Sequence, residues 1–280
     1  MNINQAILEA TDLLKKNNIK SSKLDSEILM AKAIKKQREY IILNSNKPIQ
    51  NKSYNYFRSL IKERSYGKPI AYLVGNKEFW KYEFKVSNGV LIPRPDTEIL
   101  IEEVLKITKN KSKLKVLDIG VGSGCLLLSI LKEKKDFYGT GIDVSQKCLN
   151  ISKINAYKLR LENRVKFFKS DVDNFNYHKY DLIISNPPYI NKFDLKYLER
   201  DVYKFEPKRA LDGGLDGLSE IRKVIKRSSD LIKKNGILFL EIAFDQKEKV
   251  KKLLKSKGFY IERVLKDFAK KDRCIICKKI

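Results

Sequence analysis

The chain has 280 residues, 42% of them hydrophobic and 10% aromatic, enough to bury a core in one large domain or two modest ones and to exclude global disorder. Its four scattered cysteines exclude a disulfide framework, and no apolar run approaches the ~20 residues that span a bilayer. The formal net charge of +25 favours a polyanionic or acidic partner, yet the lysines are spread along the whole chain with no single basic block.

The first residues, MNINQAILEATDLL, carry Glu9 and Asp12 and lack a signal-peptide pattern. A cytoplasmic protein without a membrane anchor is therefore expected, with a monomer as the simplest state. Residues 3–16 place Ile3, Ala6, Ile7, Ala10, Leu13 and Leu14 on one helical face. A second amphipathic stretch covers 23–43 and a third 51–64, with no strand pattern between them. Residues 1–70 are thus expected to form a small all-helical domain. Residues 71–92 turn extended and aromatic, with turn signals at Gly75 and Asn88-Gly89, and read as a linker or hairpin.

From residue 93 to 280 helices and strands alternate. A helix is expected over 97–108, capped by Asp96, then strand 115–120, helix 125–133, strand 137–143 and helix 145–159. Strands 165–170 and 180–185 follow, then helix 218–233, strand 237–242 and helix 246–256. Two last strands, 260–266 and 273–278, are close enough to pair antiparallel. This order predicts an α/β domain with a doubly wound, mostly parallel sheet.

Residues 115–124 read KVLDIGVGSG, a strand running into Gly120, Val121, Gly122, Ser123 and Gly124 and then a helix. The glycines permit positive φ and close backbone approach at a helix start. Asp143 ends the next strand, where an acid can accept hydrogen bonds from ribose hydroxyls. Asp118 sits inside the first strand end, poorly placed beside a pyrophosphate but well placed beside a cation. S-adenosylmethionine carries both an ammonium and a sulfonium, so Asp118 points to that cofactor. A nicotinamide site and a purely structural turn are the alternatives. Asp171 ends the next strand within reach of an adenine amine, with Val172 beside it either to pack on the ring or to serve as core.

Cys274 and Cys277 have the spacing of a metal or redox motif, but RCIICKKI reads as a strand, where residues three apart face opposite ways and cannot share one metal. No metal is expected. The single histidine, His178, lies in the polar run NFNYHKY and reads as surface.

Strand YDLIIS is followed at once by Asn186, Pro187, Pro188 and Tyr189. Two prolines cannot donate to a ladder, so the strand stops there, at the edge where open α/β sheets bind ligands. The set VLDIGVGSG, GID, SDV and NPPY resembles the Rossmann-like methyltransferases that modify exocyclic or amide nitrogens. With LIPRPDTE (91–98), FEPKRALDGGLDGL (205–218), GILFLEI (236–242), KDFAKKDR (266–273) and the helical start, the chain resembles the HemK/PrmC group from end to end. Ala243 stands where that group usually has glycine.

The resemblance implies methyl transfer from S-adenosylmethionine, leaving S-adenosylhomocysteine, to the glutamine of the Gly-Gly-Gln motif in peptide chain release factors. It places Arg94 and Glu206 at the substrate mouth, with a solvated or salt-bridged role as the alternative for each, and gives the helical domain a role in substrate recognition. A carboxamide nitrogen is a poor nucleophile because its lone pair is shared with the carbonyl. It needs orientation more than a base. The Asn186 side-chain oxygen and the Pro187 carbonyl can accept its two N–H groups while Tyr189 stacks on the amide plane. The same arrangement would serve an adenine, cytosine or guanine amine, so nucleic-acid base methylation is the alternative, favoured by the positive charge.

Overall fold

The computed structural model describes residues 1–280. Internal contacts divide the chain into two compact units, Met1–Asn76 with Glu199–Phe205, and Lys77–Leu198 with Glu206–Ile280.

The first unit contains α1 (Ile3–Lys16), α2 (Ser22–Ile34), α3 (Arg38–Leu43), α4 (Asn51–Ser65) and α5 (Ile70–Val74). Asn2 and Gln5 close a reciprocal capping box at the start of α1. The stretch expected as one helix over 23–43 is two. Lys35 turns left-handed at φ 56° and ends α2. The segment KKQRE has no apolar side chain to bury, so the chain bends there and returns Ile41 to the core. Leu14, Leu29, Met30, Phe57 and Ile61 fill that core. Leu73 joins them, which is why helical structure runs past residue 70 to Gly75, where a φ of 88° ends it. Inside this unit Arg64 Nε donates to Asp25 Oδ2 at 2.7 Å, and both side chains are almost wholly buried.

The second unit opens with a hairpin of β1 (Asn76–Phe79) and β2 (Tyr82–Lys85). A 3-10 turn at Pro95–Thr97 leads into α6 (Glu98–Ile107). Asp96 does not cap this helix. Pro95 starts the turn early, Thr97 stands at the N-cap, and no side chain makes the capping bond.

Next come β3 (Lys115–Ile119), α7 (Cys125–Glu133), β4 (Tyr138–Asp143), α8 (Gln146–Lys158), β5 (Val165–Lys169) and β6 (Tyr180–Ser185). The helix α9 (Arg200–Phe205) belongs to the first unit. Then follow α10 (Ser219–Leu231), β7 (Ile232–Glu241), α11 (Lys247–Ser256), β8 (Phe259–Lys266) and β9 (Asp272–Lys279).

The sheet order is β5-β4-β3-β6-β7-β9-β8. Its first five strands are mutually parallel; β9 runs antiparallel to both β7 and β8. The sheet separates two apolar cores, and strand residues alternate between them. Val116, Leu182 and Phe239 enter one, while Leu117, Ile183 and Leu238 enter the other. Cys274 and Cys277 follow the same alternation and end in opposite cores. His178 is exposed. No helix is long and apolar enough to cross a membrane.

Candidate functional site

The chain order reverses at β3, whose neighbours are β4 on one side and β6 on the other. A crevice at the carboxyl ends of such strands is where doubly wound sheets receive ligands. Parallel registers of Ile119 with Ser185 and of Ser185 with Leu240 make Gly120, Asn186 and Glu241 the next residues on three adjacent strands. The buried Ser185 hydroxyl donates to Ile119 O at 2.8 Å and ties the roots of the two loops together.

On the β3 side, Gly120 and Gly122 hold φ of 79° and 57°, and a Cβ at Gly120 would meet nothing within 4 Å. The backbone there leaves open space for a closely approaching ligand. The loop is held from behind by α8. Ser152 Oγ donates to Gly122 O at 2.9 Å, and the buried Asn155 donates to Ser123 O at 2.8 Å.

Asp143 accepts from Gly122 N at 3.0 Å and Ser145 N at 2.8 Å, so it fastens the glycine loop to the start of α8. Burial is the main cause that raises its pKa, against those two hydrogen bonds. Asp118 is 1% exposed and its Oδ2 has no hydrogen-bond partner. Burial pushes its carboxyl up to about 8, a backbone hydrogen bond opposing and the Asp143 charge adding to the rise. A buried carboxyl with one oxygen unsatisfied beside a glycine loop suits a cationic ligand group.

Asp171 is exposed and spends both oxygens on Asn174, whose hydrogen bonds hold its pKa below the usual range. Val172 is buried in the core with Phe175. Val121 is buried at 4% exposure and Ser123 at 2%.

On the β6 side, Asn186 Nδ2 donates to Thr97 Oγ1 at 3.3 Å, which leaves the amide oxygen as an acceptor. Tyr189 OH donates to Glu241 Oε1 at 3.3 Å. Glu241 is 2% exposed, and burial raises its pKa to about 7 against hydrogen bonding from Thr97 and Tyr189 and the charge of Arg273. The loop's far end is pinned by Gln246, whose Nε2 donates to Tyr189 O at 2.9 Å and Gly217 O at 3.0 Å. A Cβ on Gly217 would stand 2.6 Å from Tyr189 O, so only glycine permits that approach.

Arg94 and Glu206, expected at the substrate mouth, are brought together with each other. Arg94 forms an ion pair with Glu206 and donates to Ile92 O, while Glu206 also accepts from Ile92 N at 3.2 Å. The Glu206 carboxylate is almost wholly buried and clasps the segment before the 3-10 turn.

Sequence reasoning passed over Thr97, Glu241 and Gln246. A signal existed for Glu241, since an acid closing an apolar strand is the pattern that singled out Asp118 and Asp143. Thr97 lay in a quoted motif, but only tertiary contact reveals its partner.

A glycine loop with a buried acid behind it and an Asn-Pro-Pro-Tyr loop, set on adjacent strand ends at the switch point, define the chain as a methyltransferase of the S-adenosylmethionine-dependent fold. Two solved structures share the architecture. They are a methyltransferase from Pyrococcus furiosus (TM-score 0.53, 17% identity, 70% of this chain and 88% of that one) and a ribosomal protein L11 methylase from Lactobacillus delbrueckii subsp. bulgaricus (TM-score 0.50, 18% identity, 72% and 88%). Residues 5–75 match the PrmC N-terminal domain and residues 95–201 the methyltransferase small domain.

Among curated proteins, a release factor glutamine methyltransferase of Buchnera aphidicola is 38% identical over 100% of this chain and 99% of its own length. Another, from Clostridium acetobutylicum, is 37% identical over 99% and 98%. The chain belongs to the release factor glutamine methyltransferase family.

Proposed function

We propose that this protein transfers a methyl group from S-adenosylmethionine to the side-chain amide nitrogen of the glutamine in the Gly-Gly-Gln motif of peptide chain release factors. The observation that carries the reading is the orientation of Asn186. Its nitrogen is committed to Thr97, so its oxygen is available to an incoming N–H.

Bound S-adenosylmethionine supplies an electrophilic methyl on a sulfonium. Asp118 would hold its ammonium, the Gly120–Gly124 backbone would take its close approach, and Asp143 would accept from ribose hydroxyls with its remaining lone pairs. The exposed Asp171 can still turn toward an adenine amine; buried Val172 supports the wall beneath.

The methyl-accepting carboxamide has two N–H groups. Asn186 Oδ1 accepts one and Pro187 O the other, with the ring of Tyr189 against the amide plane. Pro187 and Pro188 fix φ, so this carbonyl keeps its direction without a ladder to hold it. Each hydrogen bond contributes roughly 0.5–1.5 kcal/mol. Alignment of the nitrogen lone pair with the methyl contributes more, up to ~7–11 kcal/mol when complete. Arg94 and Glu206 serve by fastening the segment that carries Thr97. The helical unit docks the body of the protein substrate, and the positive charge speeds encounter with an acidic partner.

The test is methyl transfer from labelled cofactor to purified release factor, with RNA and DNA offered in parallel. Label on the release factor glutamine supports the reading. Label confined to nucleic acid would replace it with base methylation.

A further inference from the structure

We propose that Thr97 and Glu241 are positioning residues for methyl transfer, which together fix the orientation of the Asn186 amide and keep its oxygen toward the methyl acceptor. The inference rests on the role given above to Asn186.

An asparagine amide is nearly the same shape either way round, so its hydrogen-bond partners decide between the two orientations. Asn186 Nδ2 donates to Thr97 Oγ1. A threonine hydroxyl both donates and accepts, and alone it would serve either end of the amide. Glu241 removes that freedom. An ionised carboxylate only accepts, so the Thr97 proton turns to it and the Thr97 lone pairs remain for Asn186 Nδ2.

Several observations support this chain of commitments. Thr97 is 3% exposed and Glu241 2%, which keeps water from substituting for either. Thr97 and Tyr189 are the hydroxyls that face Glu241 and favour its charged form. Tyr189 engages Glu241 Oε1, while Oε2 has no hydrogen-bond partner and so has acceptor capacity for the Thr97 proton. The sheet register sets Asn186 and Glu241 side by side at the ends of β6 and β7.

A protonated Glu241 becomes a donor itself. Thr97 can then donate to Asn186, and the amide reverses. The other charged or titratable groups facing Glu241 are Arg273, Tyr189, Asp96 and Cys274.

Full-length protein is assayed with release factor at saturating S-adenosylmethionine, alongside calorimetric cofactor titration and thermal melts. Thr97→Val keeps the shape and removes the hydroxyl. It lowers kcat by about 10- to 100-fold, the scale of a misaligned reacting group, with KM and cofactor affinity little changed. Thr97→Ser restores most of the loss. Glu241→Gln lowers kcat similarly and abolishes the acid limb of the kcat–pH profile.

Thr97→Val turning over as fast as Thr97→Ser would overturn the proposal, as would Glu241→Gln with unchanged kcat and pH profile. If Thr97→Val does not fold, Glu241→Gln decides. Wild-type protein that fails to label release factor defeats the substrate reading alone, and the variants are then compared on the acceptor it does label.

Discussion

The two units differ in how completely they compensate their buried carboxylates. In the helical unit Asp25 is matched by Arg64 at 2.7 Å and also accepts from Ser21 Oγ at 2.9 Å, so its charge is compensated inside the fold. In the α/β unit Glu206 is likewise paired with Arg94, but Asp118 and Glu241, buried as deeply, each have an oxygen without a hydrogen bond. An unsatisfied buried polar atom costs about 1–3 kcal/mol. Both exceptions lie at the carboxyl edge of one sheet, beside the glycine loop and the Asn-Pro-Pro-Tyr loop.

Removing Asn186 should give the largest effect. Asn186→Ala is expected to lower turnover about 10³-fold, ~4 kcal/mol in barrier, while cofactor affinity measured by calorimetry stays close to wild type. Lost cofactor binding would erase the distinction between the two loops.

On the structural side, Arg64→Met should destabilise the chain by ~3 kcal/mol in denaturant melts, because it strands Asp25. The Asp25→Leu/Arg64→Met double variant should recover most of that. Turnover on a short Gly-Gly-Gln peptide should not change, and a large loss there would mean the helical unit's ion pair serves chemistry.

Asp118→Asn should weaken S-adenosylmethionine by about 30-fold, ~2 kcal/mol, the worth of a charge-assisted hydrogen bond. Its effect on stability has the other sign. The folded pKa of Asp118 is raised from 3.8 to about 8, so the folded state binds the proton more tightly. Stability is therefore full below the unfolded value and is lost as pH climbs toward 8. Asp118→Asn should flatten that decline in ligand-free melts between about pH 5 and 8. A steeper decline would mean that the carboxylate already has a cationic partner within the fold.

Arg94→Ala should be mildest, roughly 1–2 kcal/mol in thermal stability, because Arg94 is partly exposed while Glu206 keeps the Ile92 N–H. Loss of activity beyond that drop would restore Arg94 to the substrate mouth.

Local pattern in the amino-acid order was enough for most of the architecture and for the glycine loop and the Asn-Pro-Pro-Tyr loop as structural features. Glycines that must take positive φ, an acid closing an apolar strand and prolines that end a ladder impose their consequences on near neighbours, so they can be read without knowing the fold. The same logic found the central strands, because β-branched runs such as YDLIIS leave few other options. Tertiary structure alone decided which polar groups meet. Thr97 stands 89 positions from Asn186, and Glu206 112 positions from Arg94. No periodicity in the chain encodes those encounters. They exist because the turn ahead of α6, which carries Arg94 and Thr97, lies against the loop after β6 and the residue that follows α9.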